Sequence, residues 1–316
     1  MKSLFATIFI IAFAISVKAQ IYQSDTLTTI AYWSQGETYK YQLDKYRYRL
    51  KGEEITETNS TSMISLHIME ETDSNYLLKY SIDSLFYDGQ MEDNPILNAI
   101  ASEMTEDLVY IIETDQNGSF IEIRNWEELR DLIKELFYKL PIFNNLSKAE
   151  KLRAEQGIIT MTDSKEKVQS ILLKQFSVLF ENYGYLFDTR DTIAYDQVLP
   201  NPYGGAPFPQ YGKIFFDKSL IDSTNTITIY DQSSIDEEEG KKAIVQVLKQ
   251  ISPDLEDIES EIEKIEFKVE DSKVQSFHLD YGIILYAIME RTVISNDTNE
   301  KNTRIDRQTW NLLSIE

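Results

Sequence analysis

Cysteine is absent from the 316 residues, and histidine occurs only twice. The first absence excludes disulfides, thiol nucleophiles and every Cys-ligated metal site. It also removes the lipid-attachment cysteine of a bacterial lipoprotein. His67 and His278 each sit inside a strand-like run, between Leu66 and Ile68 and between Phe277 and Leu279. A two-His metal centre would need both to converge with a carboxylate. No Gly-x-Ser-x-Gly elbow, phosphate loop or dinucleotide fingerprint occurs. No catalytic residue, cofactor or metal site is therefore expected. Cationic residues are few as well: 31 Lys and Arg face 53 Asp and Glu, a net charge of −22. That balance argues against nucleic acid or an anionic membrane as a partner. Glycine and proline are sparse, and four of the seven prolines fall in one loop.

Long apolar runs are missing except at the start. Leu4 to Val17 is apolar and follows Lys2, and Ala19 offers a small residue before Gln20. At fourteen residues the run is short for a bilayer-spanning helix, which needs roughly 20. It reads as a signal peptide over residues 1–19, cleaved before Gln20, so export to the periplasm or beyond is expected. An exported chain without disulfides must be held by its core alone, which a chain of this length can do.

What is abundant is tyrosine, with 19 copies beside 15 phenylalanines. Such residues favour pleated, half-buried surfaces. Tyr39, Tyr41 and Leu43 alternate with polar residues, and the pattern runs on through Tyr46, Tyr48 and Leu50. Ile64, Leu66 and Ile68, then Tyr76, Leu78, Tyr80 and Ile82, repeat it, predicting an antiparallel meander with one apolar and one wet face. Asn94-Pro95 predicts a short helix to Met104, and Asp115-Gln-Asn-Gly118 a hairpin whose Asn-Gly pair tolerates positive φ. Asn125 and Glu128 read as a capping box opening a helix that Pro141 stops. Two more helices are expected, over Leu146 to Gln156 and from Ser164 with Val168, Leu172, Phe176, Leu179 and Phe180 inward. Strands then return at Tyr185 to Val198, Lys213 to Asp217, Thr226 to Asp231, Ile262 to Glu270, Val274 to Ile294 and Thr303 to Leu313. A helix from Glu237 to Ile251 interrupts them.

The expected class is α+β: a large curved antiparallel β-sheet with a central helical block and one further helix packed on it. Residues 20–316 form one such domain, with two halves meeting near residue 185 as the alternative. The helices and the net charge count against an outer-membrane barrel.

The loop Leu199-Pro-Asn-Pro-Tyr-Gly-Gly-Ala-Pro-Phe-Pro-Gln-Tyr211 cannot be regular structure throughout, because proline removes donors and fixes φ. Its aromatics Tyr203, Phe208 and Tyr211 are the candidate ligand or partner contacts, set against a role in covering an edge strand. Paired carboxylates abound (Glu70/Glu71, Glu127/Glu128, Asp254/Glu256/Asp257), so no pair singles itself out.

The Ala19-Gln20 signal end, the run Asp115-Gln-Asn-Gly-Ser-Phe-Ile-Glu-Ile-Arg-Asn-Trp-Glu-Glu-Leu129 and the 199–209 loop together resemble uncharacterised exported proteins of Bacteroidota-type bacteria. The resemblance spans residues 37–230, implies a periplasmic setting, and carries no activity or catalytic residue across. Two functions fit. One is a non-enzymatic exported protein that binds an apolar small molecule or an envelope partner. The other is a glycosidase-like hydrolase using two acids.

Overall fold

Period-2 sequence becomes antiparallel strands over most of the chain. The computed structural model describes residues 21–88, 108–139, 146–199, 207–251, 258–296 and 300–316. The signal segment, the helix expected at Asn94–Met104 and Tyr203 lie outside them. In chain order the strands are β1 (Tyr22–Gln23), β2 (Thr26–Thr28), β3 (Thr38–Lys51), β4 (Glu54–Glu71), β5 (Asn75–Asp88), β6 (Val109–Asp115) and β7 (Phe120–Ile123). Helices α1 (Trp126–Lys139), α2 (Lys148–Met161) and α3 (Lys165–Leu173) follow. Next come β8 (Leu186–Asp188), β9 (Ile193–Leu199), β10 (Phe208–Asp217), α4 (Ile221–Thr224), β11 (Thr226–Ile235), α5 (Glu237–Ile251) and α6 (Ile258–Glu263). The last three strands are β12 (Glu266–His278), β13 (Ile283–Asn296) and β14 (Asn302–Ile315).

Eleven strands form one open antiparallel sheet in the order β7-β6-β5-β4-β3-β14-β13-β12-β11-β10-β9. Every neighbour is adjacent in sequence except at the centre, where β3 meets β14 in pairs from Thr303↔Leu50 to Trp310↔Leu43. Strands before and after residue 185 thus share one sheet. A second, three-stranded sheet joins β1, β2 and β8. Its β1–β2 turn is built on Ser24 and Asp25, both at positive φ, in a stretch whose sequence reads only as a polar lead-in.

One face of the large sheet is covered by α3, the segment 174–184 and the small sheet. Trp33 sits edge-on to Tyr76 and Tyr183 with ring centroids 5.3 and 5.2 Å apart. Phe176 lies 5.1 Å from Tyr80 and 5.4 Å from Tyr110. The Tyr183 hydroxyl donates to the Gly282 carbonyl at 2.9 Å, and that of Tyr41 to the Ile284 carbonyl at 3.0 Å. Filled this way, the aromatic interior is a packed core. At the other end α5 closes on β12 where Gly240 leaves room for the Phe267 ring, which a Cβ would meet at 2.6 Å.

Several expectations change. Asn125 does not act as a helix cap: its amide takes a strand's place beside β6, accepting from Ile111 N at 2.9 Å and donating to Val109 O at 2.8 Å. The capping box falls instead at Ser147 and Glu150, opening α2. In the 115–119 turn only Gly118 takes positive φ (+93°), while Asp115 Oδ1 accepts from Asn117 N and Ser119 N. Strand β10 begins inside the proline loop, at Phe208, and tolerates Pro209 because β11 pairing starts one residue later, at Gln210↔Ile235. The run Val274 to Ile294 is split by a turn at Gly282, whose φ is +58°.

Candidate functional site

The row Ala287–Trp310–Leu43–Ser62, paired across β13, β14, β3 and β4, is the last buried row on the central strands. Beyond it, over 44–61 and 288–309, no described residue is buried. These strand ends form a blade projecting past the core. Its β3 part, Asp44 to Lys51, extends roughly 26 Å at about 3.3 Å per residue.

At this boundary the alternation inverts. Tyr39, Tyr41 and Leu43 point to the covered face and are buried. Beyond Asp44 the apolar residues are Tyr46, Tyr48 and Leu50, which by alternation point to the opposite, outer face. Pairing of β3 with β4 runs from Thr38↔His67 to Lys51↔Glu54 with no slip on the β3 side, so the side chains change faces and the backbone does not. Ile305 stands opposite Tyr48, and Ile55 opposite Leu50. Ile55 is 58% exposed.

Where blade meets core, a hydrogen-bonded array crosses β9 to β13 on the covered face. Lys273 Nζ binds Glu181 at 2.8 Å and lies 3.9 Å from Asp231. Tyr195 donates to Asp231 at 2.6 Å. Arg291 holds Asp271 through two bonds of 2.6 and 2.7 Å, and Gln210 donates to the same carboxylate at 3.0 Å. Burial first, then the charges of Glu181 and Asp271, hold the Asp231 carboxyl above its ordinary range against the pull of Tyr195 and Lys273. Burial and then Asp231 push the Tyr195 hydroxyl up. The acids here are engaged by fixed protein donors, and the array ties β9 to β13 together.

A testable consequence follows for pH. A raised folded pKa means that Asp231 favours the fold while protonated, below its ordinary 3.8. That contribution is lost as the pH rises through the raised value. Asp231→Asn, neutral throughout, should unfold at a higher urea concentration than wild type near pH 7 and show no advantage at acidic pH. A lower midpoint at neutral pH would mean that the ion pair with Lys273 outweighs burial.

Two surface clefts adjoin β6. One of 330 Å³ is lined by Val109, Ile111, Asn125, Glu128, Leu129 and Leu132. The other, of 260 Å³, is lined by Glu70, Asn75, Leu77, Ile111, Glu113 and Arg124. Both are open and partly charged.

Of the contacts expected from sequence, Phe208 and Tyr211 lie on β10 and, three residues apart, point to opposite faces. Phe208 is half-buried beside Leu199, and Tyr211 is 48% exposed on the outer face. His67 Nδ1 meets Thr38 Oγ1 at 2.9 Å, whereas the His278 ring lies tilted against that of Tyr281 with centroids 4.6 Å apart. Reading the strands one at a time misses the blade, although the phase inversion in Tyr41-Gln-Leu-Asp-Lys-Tyr-Arg-Tyr48 is its signal.

No protein-family model matches the chain, and no curated protein matches it. Among solved structures it is similar to lipovitellin, seen in a study of that protein's lipid interactions. The TM-score is 0.40 and the identity 10%, covering 90% of this chain and 26% of lipovitellin. The chain thus spans about a quarter of lipovitellin's length. It is also similar to an outer membrane channel from Pseudomonas putida F1, with a TM-score of 0.19 and 8% identity over 93% of this chain and 100% of that one. At these scores neither likeness carries the neighbour's function to this chain.

Proposed function

We propose that the protein is an exported, non-enzymatic binding protein that docks an envelope partner on its blade. The supporting observation is the phase inversion at Asp44–Lys45, which turns Tyr46, Tyr48, Leu50 and Ile305 outward on stretches where no described residue is buried. Turning large apolar groups into water costs stability, and a surface that retains them is suited to an interface. An enclosed apolar ligand is the weaker form of the proposal, because rings fill the interior and the clefts beside β6 are open. The two-acid hydrolase has one favouring observation, the raised Asp231 carboxyl one strand from Asp271. Both acids, however, are engaged by Tyr195, Arg291 and Gln210.

The test is hydrogen exchange of residues 20–316 with and without a detergent-solubilised envelope fraction. Protection is expected over 44–61 and 288–309. The double variant Tyr48→Asp, Ile305→Asp should abolish it while leaving the urea midpoint little changed, since neither residue is buried. Exchange unchanged in the blade would end the proposal. So would a stoichiometric apolar molecule in the native mass spectrum of the protein as purified, which would point to a carrier.

A further inference from the structure

The covered side of the sheet continues onto the blade as its second face, and there the chain's scarce cations gather. Lys45, Arg47, Arg49 and Lys51 alternate along β3 on that face, with Arg304 and Arg291 beside them on β14 and β13. Arg49 stands directly opposite Arg304. Like charges facing across two strands destabilise a sheet, yet the chain keeps this pair although acids outnumber cations 53 to 31. Two carboxylates answer the six cations along these strands. Asp306 is shared by Arg47 at 2.6 Å and Arg304 at 2.5 Å, and Asp271 is held by Arg291. A third, Glu54, lies opposite Lys51 at the tip. Arg49 and Lys45 have no ion-pair partner among the described residues. Burial first and then the Arg47 charge push the Lys45 amine down. The neighbouring positions on β4 are the hydroxyls Thr56, Thr58 and Ser60, opposite Arg49, Arg47 and Lys45.

We propose that this face of the blade binds an extended acidic peptide segment, with alternate carboxylates of the peptide in register with the cations of β3. Alternate side chains of an extended chain repeat at about 6.7 Å, the same repeat that β3 imposes on its cations. Arginine offers a planar fork that carboxylates accept at two points. Between Lys45 and Lys51, β3 itself presents no ring to this face, because Tyr46 and Tyr48 point the other way. Glu53 and Glu54 at the blade tip oppose an end-on approach to an anionic bilayer. The inference shares the blade with the proposed function but uses the opposite face, so the two fail separately.

The experiment is fluorescence anisotropy of residues 20–316 with a labelled peptide of alternating Glu and Ser at low ionic strength. Binding is expected, weakening by roughly tenfold or more when salt is raised to about 0.2 M. Arg49→Glu combined with Arg304→Glu should weaken it by at least about tenfold. Arg49→Gln alone, at an exposed residue without an ion pair, should weaken it by about threefold with the fold intact. Lys268→Glu, on the outer face, and the Tyr48→Asp, Ile305→Asp variant should bind as wild type does. Absence of binding, or equal binding by the double arginine variant, would overturn the proposal. So would tighter binding to phosphatidylglycerol vesicles than to the peptide, which would assign the face to a membrane.

Discussion

Trp310→Ala is expected to remove about 3–5 kcal/mol of folding stability, read as a fall in the urea midpoint at constant slope. The ring is fully buried on β14, between Leu43 of β3 and Ala287 of β13, with Tyr41 and Tyr80 at 6.1 and 6.5 Å. It therefore packs at the seam that joins the first strands of the chain to the last. Its neighbours belong to strands fixed on both sides, so the space left by truncation has little means of collapsing. A domain of this kind holds about 5–15 kcal/mol in all, and the loss would be a large share of it. Trp310→Phe should cost much less. It keeps most of the apolar volume and removes an indole N–H that finds no acceptor among the described residues. A cost below about 1 kcal/mol for the alanine variant would show that the seam is not central to stability.

The second large effect is expected at Gly282, in the turn between β12 and β13. Its φ is +58°, and an added Cβ would come within 2.1 Å of the Ile30 carbonyl oxygen and 3.0 Å of Tyr32 N. Both obstacles are backbone, part of the connection from β2 to β3, and cannot swing aside as a side chain would. Gly282→Ala should therefore combine roughly 1–2 kcal/mol of left-handed strain with about 1–3 kcal/mol of overpacking. The same substitution at Gly36 isolates the backbone contribution, since φ is +94° there and a Cβ would meet no atom within 4 Å. Thermal unfolding of the two variants side by side should show Gly282→Ala the less stable by about 2 kcal/mol. Equal midpoints would mean that the 30–32 segment yields easily.

Much of the secondary structure is legible because it follows from local periodicity. The alternation in β3, β4 and β5, and the helical face of α1, need only neighbouring residues to read. Asp236 opening α5 is equally local, and its Oδ1 accepts from Glu239 N at 2.9 Å. One misreading occurs where a polar side chain had two possible uses. Asn125 has the chemistry of a cap, and only the nearness of β6 turns its amide to Ile111 and Val109. Gly282 is a turn signal of the same kind as Gly118, hidden inside a long apolar run.

Composition and periodicity alone settle that this chain makes antiparallel strands with helices among them, because each depends on side chains a few positions apart. Which strands become neighbours is not written locally. The pairing of β3 with β14 joins residues near positions 40 and 310, and many other pairings satisfy the same alternation. Only the tertiary structure decides that Lys45, Arg47 and Arg49 share a face with Arg291 and Arg304 in an otherwise acidic protein. The same seam decides where the core stops. The inversion from Tyr39, Tyr41 and Leu43 to Tyr46, Tyr48 and Leu50 lies open in the sequence. It acquires meaning only when the Trp310 row shows where, among the described residues, burial on these strands ends.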